Sequence, residues 1–162
     1  MNEMKKFDFQ DGNGLVPAHQ HSKGGGWVAD SATVYDSVYV GPDARVSGNA
    51  RVSGKAWVFG SAMVSGNARV YGSALVSGNA VVSGNARVYG DARVSDNAWV
   101  FGNAWVFGNA WVSGDTRVFG NARIFENALV SGNARIFENA LVSGNARVYD
   151  SAMVSGNARV YG

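Results

Sequence analysis

From Val28 to Met63 the chain reads VADSAT VYDSVY VGPDAR VSGNAR VSGKAW VFGSAM, and the same phrase runs on to Arg159 as 22 hexads without an insertion or deletion. A partial hexad, Val160 to Gly162, follows. The first position is Val in twenty hexads and Ile in two, Ile124 and Ile136; the fifth is Ala everywhere except at Val38 and Thr116. Self-similarity at a short fixed period marks a repeat architecture, in which one unit cannot bury its apolar face alone. The fifth residue of one hexad and the first of the next are two apart, so on an extended chain they point to one side with an outward residue between them. β-Branched Val suits a sheet, and Ala suits a narrow interior. A period of six does not match the helical 3.6, and a Gly or Asn every few residues would cost a helix about 0.5 to 1 kcal/mol each.

Gly usually holds the third place and Asn, Asp or Ser the fourth. These residue types tolerate positive φ or close an Asx-type turn, so each hexad reads as a short strand and a corner. Stacked coils pair each strand with its equivalents at about 4.8 Å. The prediction is an all-β fold, a single-stranded parallel β-helix or β-solenoid, with Val, Ala and Asn ladders along its axis. Period and composition alone permit a flat coil of two hexads or a three-sided coil of three, in either hand. Residues 121–132 and 133–144 are identical, each NARIFENALVSG. Coils of two hexads would align these copies, whereas coils of three place them on different faces, so the duplication keeps the flat coil open.

In its aliphatic first and small fifth positions, the stretch from Val28 to Gly162 resembles the hexapeptide-repeat family, although Ser, Tyr or Phe stands second and Gly third where that family often has Gly second. Gly24-Gly25-Gly26-Trp27-Val28, which leads into the first coil, is similar to certain bacterial and phage members. The resemblance implies a left-handed, triangular helix in which three hexads make one coil. The 22 hexads would then make about seven coils and a rod roughly 35 Å long. It also implies an acyltransferase using acyl-CoA or acyl-ACP in a trimer, with a histidine as general base and loops that interrupt the coils. Only His19 and His21 are available here, both lie before the repeats, and no loop interrupts them. No nucleophile with a partnered base is visible either. His19-Gln20-His21 could also turn two imidazoles to one side of a strand toward a transition metal, a weak signal beside a purely structural role.

The outward positions flanking the core Val or Ile vary together. After Leu, Met or Val the follower is always Ser, and after Arg it is aromatic in seven of ten cases, as in Arg69 with Tyr71. Three tryptophans pair with Phe in the same way: Trp57 with Phe59, Trp99 with Phe101, Trp105 with Phe107. Same-face neighbours on one strand can stack, and a guanidinium over a ring contributes roughly 0.5 to 1 kcal/mol at an exposed site. Coils of three hexads place Arg51, Arg69, Arg87 and Arg123 on one face, interleaved with Tyr71, Tyr89, Trp105, Phe107 and Phe125. Such a strip is the candidate binding face, suited to an acidic glycan or a single-stranded nucleic acid, against the plainer reading of a solvated surface that shields the ladder.

Composition bounds the rest. The 162 residues include no Cys, so there is no disulfide frame and no thiolate metal site; charged residues are 16% and the net charge is +2, too mild to signal a nucleic-acid protein. MNEMKKFDFQ lacks the apolar run of a signal peptide, and no stretch reads as a membrane span. Expected localisation is the cytoplasm, a phage particle or the infected cell. Residues 1–27, with Phe7 and Phe9 alternating before Asp11-Gly12-Asn13-Gly14, read as a segment that caps the solenoid of residues 28–162. The pattern holds up to Tyr161-Gly162 without a closing element, which predicts self-association through an uncapped C-terminal end or, alternatively, a lateral trimer. The functional expectation is a non-enzymatic structural or interaction module needing no cofactor, with an acyl-CoA-dependent acyltransferase as the alternative.

Overall fold

The computed structural model describes residues 5–162; residues 1–4 of the expected capping segment lie outside the described residues. Every strand from Trp27 onward is short and pairs in parallel with the strand three hexads away. Arg69 stands in register with Arg51 on one side and Arg87 on the other, and Val70 likewise with Val52 and Val88. Each coil therefore holds three hexads, and the flat coil of two is excluded. Successive strands enter three sheets in turn, of 10, 8 and 7 strands, which enclose a single core. The two copies of NARIFENALVSG fall on different faces accordingly, Arg123 in the second sheet and Arg135 in the first.

The first and fifth hexad positions line the interior, and through most of the rod they are wholly shielded from solvent. Thr116, an exception to Ala, is tolerated because its hydroxyl donates to the Ser113 carbonyl at 2.6 Å and so is not left unpaired in the core.

Backbone pairing continues around the corners. Arg69 N–H donates to Ala86 O at 2.9 Å and Asn67 N–H to Gly84 O at 2.8 Å, while Ala68 N–H closes the corner on Ser65 O at 3.3 Å. Gly66 sits at φ +65 while Asn67 has no positive φ, so within the hexads only the third position uses the left-handed region. The fourth position builds the expected amide ladders. Nδ2 of Asn67 donates to Oδ1 of Asn85, and the chain of bonds continues through Asn103, Asn121 and Asn139 to Asn157.

Six hexads carry an acid where Gly is usual, and at four of them, Asp96, Glu126, Glu138 and Asp150, φ lies between 56 and 61. Left-handed backbone costs an L-residue roughly 1 to 2 kcal/mol. A compensation is visible at three of them, where the carboxylate accepts from a glycine N–H one coil on: Asp96 from Gly114, Glu126 from Gly144, Glu138 from Gly156.

At the start of the rod, β1 (Lys6–Asp8) and β2 (Leu15–Gln20) form an antiparallel hairpin, and β2 runs antiparallel to β3 (Trp27–Ala29), the first strand of the first sheet. Phe9 is fully buried there with Ala18 and Ala29, backed by Phe7, Val16 and Trp27. β4 (Thr33–Val34) and β5 (Tyr39–Val40) open the second and third sheets. Lys23 to Gly26 overlie β5, since Val40 N–H donates to Lys23 O and Gly26 N–H to Val40 O, both at 3.0 Å. In the last coil Ala158 is exposed and Val160 half-buried. Among the described residues no helix is long and apolar enough to cross a membrane.

Candidate functional site

The outward face of the second sheet is two parallel columns, because residues three hexads apart stack on consecutive coils. One column runs Arg51, Arg69, Arg87, Trp105, Arg123 in strand register. The other, one outward position further along each strand, runs Tyr71, Tyr89, Phe107, Phe125. All nine residues read from the sequence as a candidate face thus lie together.

Their contacts run along the axis rather than along each strand. Tyr71, Tyr89, Phe107 and Phe125 form one stack with centroids 4.8, 4.9 and 5.0 Å apart and planes within 4° of parallel. The guanidinium carbons of Arg87 and Arg123 lie 4.7 and 4.9 Å from the Trp105 ring centroid, one from each neighbouring coil. This revises the expected pairing of Arg69, Arg87 and Arg123 with the ring following on the same strand: rings stack on rings, and arginine lies over tryptophan. Trp105 does meet Phe107, edge to face at 6.5 Å. The physical reason is spacing, since the strand separation of about 4.8 Å suits offset ring stacking. The second sheet carries the longest such stack; the first holds Phe101, Phe119 and Phe137.

Electrostatically the face is one-sided. Among the described residues the one contact of a basic side chain with a carboxylate within ion-pair distance is that of His19 Nδ1 with Asp30, so no arginine is paired with an acid. Burial pushes the Tyr89 phenol above its ordinary pKa, Tyr71 adds to that, and the guanidiniums of Arg87 and Arg123 oppose it.

His19 and His21 have different surroundings. Nδ1 of His19 is 2.8 Å from Oδ1 of Asp30 on the surface, and a carboxylate only accepts, so the proton of that bond is held at Nδ1. His21 is buried in the turn before the first coil, its Nδ1 3.2 Å from both N and O of Lys23, and its Nε2 has no partner. No group of three or more His, Asp or Glu among the described residues could hold a metal ion.

Two grooves were not foreseen. One, of about 490 Å³, lies where the hairpin meets the first sheet, between Phe7, Trp27, Arg45 and the corner Pro42-Asp43. Phe7 stacks on Trp27 at 4.6 Å, and Arg45 donates to Gln10 Oε1 at 3.0 Å. The available signal was the hexad VGPDAR, whose Pro-Asp breaks the Gly-Asn corner. The second, of about 320 Å³, lies on the second sheet between Arg123, Leu141 and Arg159 on one side and Asn121, Asn139 and Asn157 on the other.

A family profile described as YdcK beta solenoid repeat matches residues 44–60, 62–78, 76–90, 86–100 and 140–155. No curated protein sequence matches. Among solved structures, PerB from Caulobacter crescentus in complex with CoA and GDP-perosamine is similar in fold, with TM-score 0.58 and 17% identity over 74% of this chain and 57% of that one. A point mutant of perosamine N-acetyltransferase from Caulobacter crescentus, also with CoA and GDP-perosamine, aligns at TM-score 0.32 and 14% identity over 74% of this chain. The chain spans less than two thirds of either protein, 57% and 56%.

Proposed function

Since the chain is a β-helix protein of the hexapeptide-repeat type, we propose that it works as a non-enzymatic structural and interaction module whose second sheet takes anionic ligands. One observation carries this reading: Arg51, Arg69 and Arg87 are neighbours on consecutive coils with no acid paired to any of them. Like charges set directly opposite on adjacent strands destabilise a sheet, so an anion that bridges them gains relief of repulsion as well as its own contacts. The test is titration of an acidic and a neutral polysaccharide against the wild type and an Arg69→Ala/Arg87→Ala variant. Selective binding of the acidic polymer, lost in the variant, supports the reading; equal affinity of both proteins removes this face.

A second reading has an observation of its own. The Asp30 carboxylate holds the proton of their shared bond at Nδ1 of His19, leaving Nε2 as the position for general-base work. This supports the alternative of an acyl-CoA-dependent acyltransferase, in keeping with the CoA bound to PerB, a structural neighbour. Acetyl-CoA turnover on amino sugars, abolished by His19→Ala and sustained by His21→Ala, would establish it in place of the first.

A further inference from the structure

We infer that the second sheet is a track for a linear acidic polysaccharide lying parallel to the solenoid axis, its acidic groups on the arginine column and its hydroxyls on the neighbouring asparagine ladder. This rests on the anion-binding reading above and adds the ligand class, its direction and a second set of contacts.

Three features coincide on this face. Arg51, Arg69 and Arg87 follow one another on consecutive coils, at a spacing that the stacked rings beside them measure as 4.8 to 5.0 Å, and beyond Trp105 the column resumes at Arg123. Cations in a straight row at that spacing suit a polymer carrying regularly repeated anions better than a compact anion, which could meet two of them at most. From Arg51 to Arg123 the row covers four coil steps, roughly 19 Å at about 4.8 Å each.

The amide ladder from Asn67 to Asn157 borders the same column, each Asn lying just before the Ala that precedes the outward residue of its strand. It is the longest ladder among the described residues; the others link three side chains each. A carboxamide has two N–H donors and two acceptor lone pairs, and the ladder uses one of each at its interior members. The remaining donor and acceptor match a sugar hydroxyl, which both gives and takes a hydrogen bond. The groove of about 320 Å³ begins at Arg123 and continues the same face past the end of that row, between the ladder and Leu141 and Arg159.

The rings decide against nucleic acid. Single-strand binders hold bases on open aromatic faces. Here Tyr89 and Phe107 have rings on both faces, and Trp105 has guanidiniums from both sides. What the stack offers is ring edges and, at Tyr71 and Tyr89, phenol hydroxyls, which again suit a hydroxylated ligand.

The experiment uses the full chain and calorimetry with four probes: galacturonate oligomers of increasing length, the neutral galactan, polyacrylate as a carboxylate polymer without hydroxyls, and single-stranded DNA. Expected is affinity for oligogalacturonate that climbs with length and levels off once the oligomer spans Arg51 to Arg123. Polyacrylate and DNA of matched charge should bind at least about tenfold more weakly. Arg69→Ala should lower oligogalacturonate affinity about tenfold, as loss of one charge-assisted contact predicts. Arg117→Ala/Arg135→Ala, on the first sheet, should leave it unchanged. A dimer binding as tightly as a long oligomer, or polyacrylate or DNA binding as tightly as oligogalacturonate, overturns the track while leaving an anion-binding face. Failure of every polyanion to bind removes the anion-binding reading itself.

Discussion

The rings of Tyr71 and Tyr89, on consecutive coils, lie 4.8 Å apart with their planes 2° from parallel. Tyr89 also stacks on Phe107 and meets the edge of Trp105, whereas Tyr71 ends the stack. Aromatic pairs contribute about 0.5 to 1.5 kcal/mol each beyond the area they bury. Tyr89→Ala should therefore cost about 2 kcal/mol and Tyr71→Ala about 1 kcal/mol. Denaturant midpoints of the two variants check the order, and equal losses would show that the stack is not what the rings contribute.

The raised pKa of Tyr89 gives a pH dependence of definite sign. The folded state resists ionising this phenol, so its contribution is complete below the ordinary tyrosine pKa of about 10 and declines as pH rises from there through the folded value. Tyr89→Phe keeps a ring in the column and should flatten that part of the alkaline loss of stability. Phenolate absorbance should show one late-titrating tyrosine in the wild type that the variant lacks.

Arg69 stands in register between Arg51 and Arg87. Without a ligand, Arg69→Ala removes two like-charge neighbours from a central position, so stability at low ionic strength should stay level or rise, and the difference should shrink as salt is added. A fall of more than about 1 kcal/mol at low salt would mean that the side chain is held by contacts of its own.

At Glu126 two effects oppose one another. The residue has φ +61, and its carboxylate accepts from Gly144 N–H. Glu126→Gly loses the bond but relieves the left-handed backbone, for a net change within about 0.5 kcal/mol, while Glu126→Ala loses the bond and keeps the strain, costing about 1 to 2 kcal/mol. Similar midpoints for the two variants would contradict the strain argument.

Which of these relationships could be read in the sequence follows from their range. The inward Val and Ala and the Gly corners are set by neighbours within one hexad, so they were legible. Coil size was not, because two hexads and three fit the same period; the register of Arg69 with Arg87 decides it. Given coils of three hexads, the column Arg51, Arg69, Arg87, Trp105, Arg123 follows by arithmetic. The partners of those side chains did not, since two neighbours compete for each ring, one along the strand and one across coils, and the choice depends on a rotamer. The Asn67 ladder, by contrast, was legible, because stacking coils of any size sets like residues of successive coils side by side. The groove beside Pro42 required the path of the hairpin, which no repeat encodes.

That hairpin yields a prediction about how the rod unfolds. Phe9 is fully shielded, its burial shared with Ala18 of the hairpin and Ala29 of the first coil, in a cluster separate from the solenoid core. Removing a buried Phe side chain costs about 3 to 5 kcal/mol, more than such a small cluster can spare. In a repeat array each unit is stabilised by its own neighbours, so the damage should stay where it is made. Phe9→Ala should release β1 and β2 while the coil-to-coil register beyond β3 persists. Hydrogen exchange would then show lost protection at Ala18 and His21, whose amides bond to Lys5 and Gly26. Protection at Arg69 and Arg87 should be unchanged. The freed edge of β3, now an open row of backbone donors and acceptors, should also make the variant more prone to associate. Loss of protection along the whole rod would show instead that hairpin and solenoid unfold as one unit.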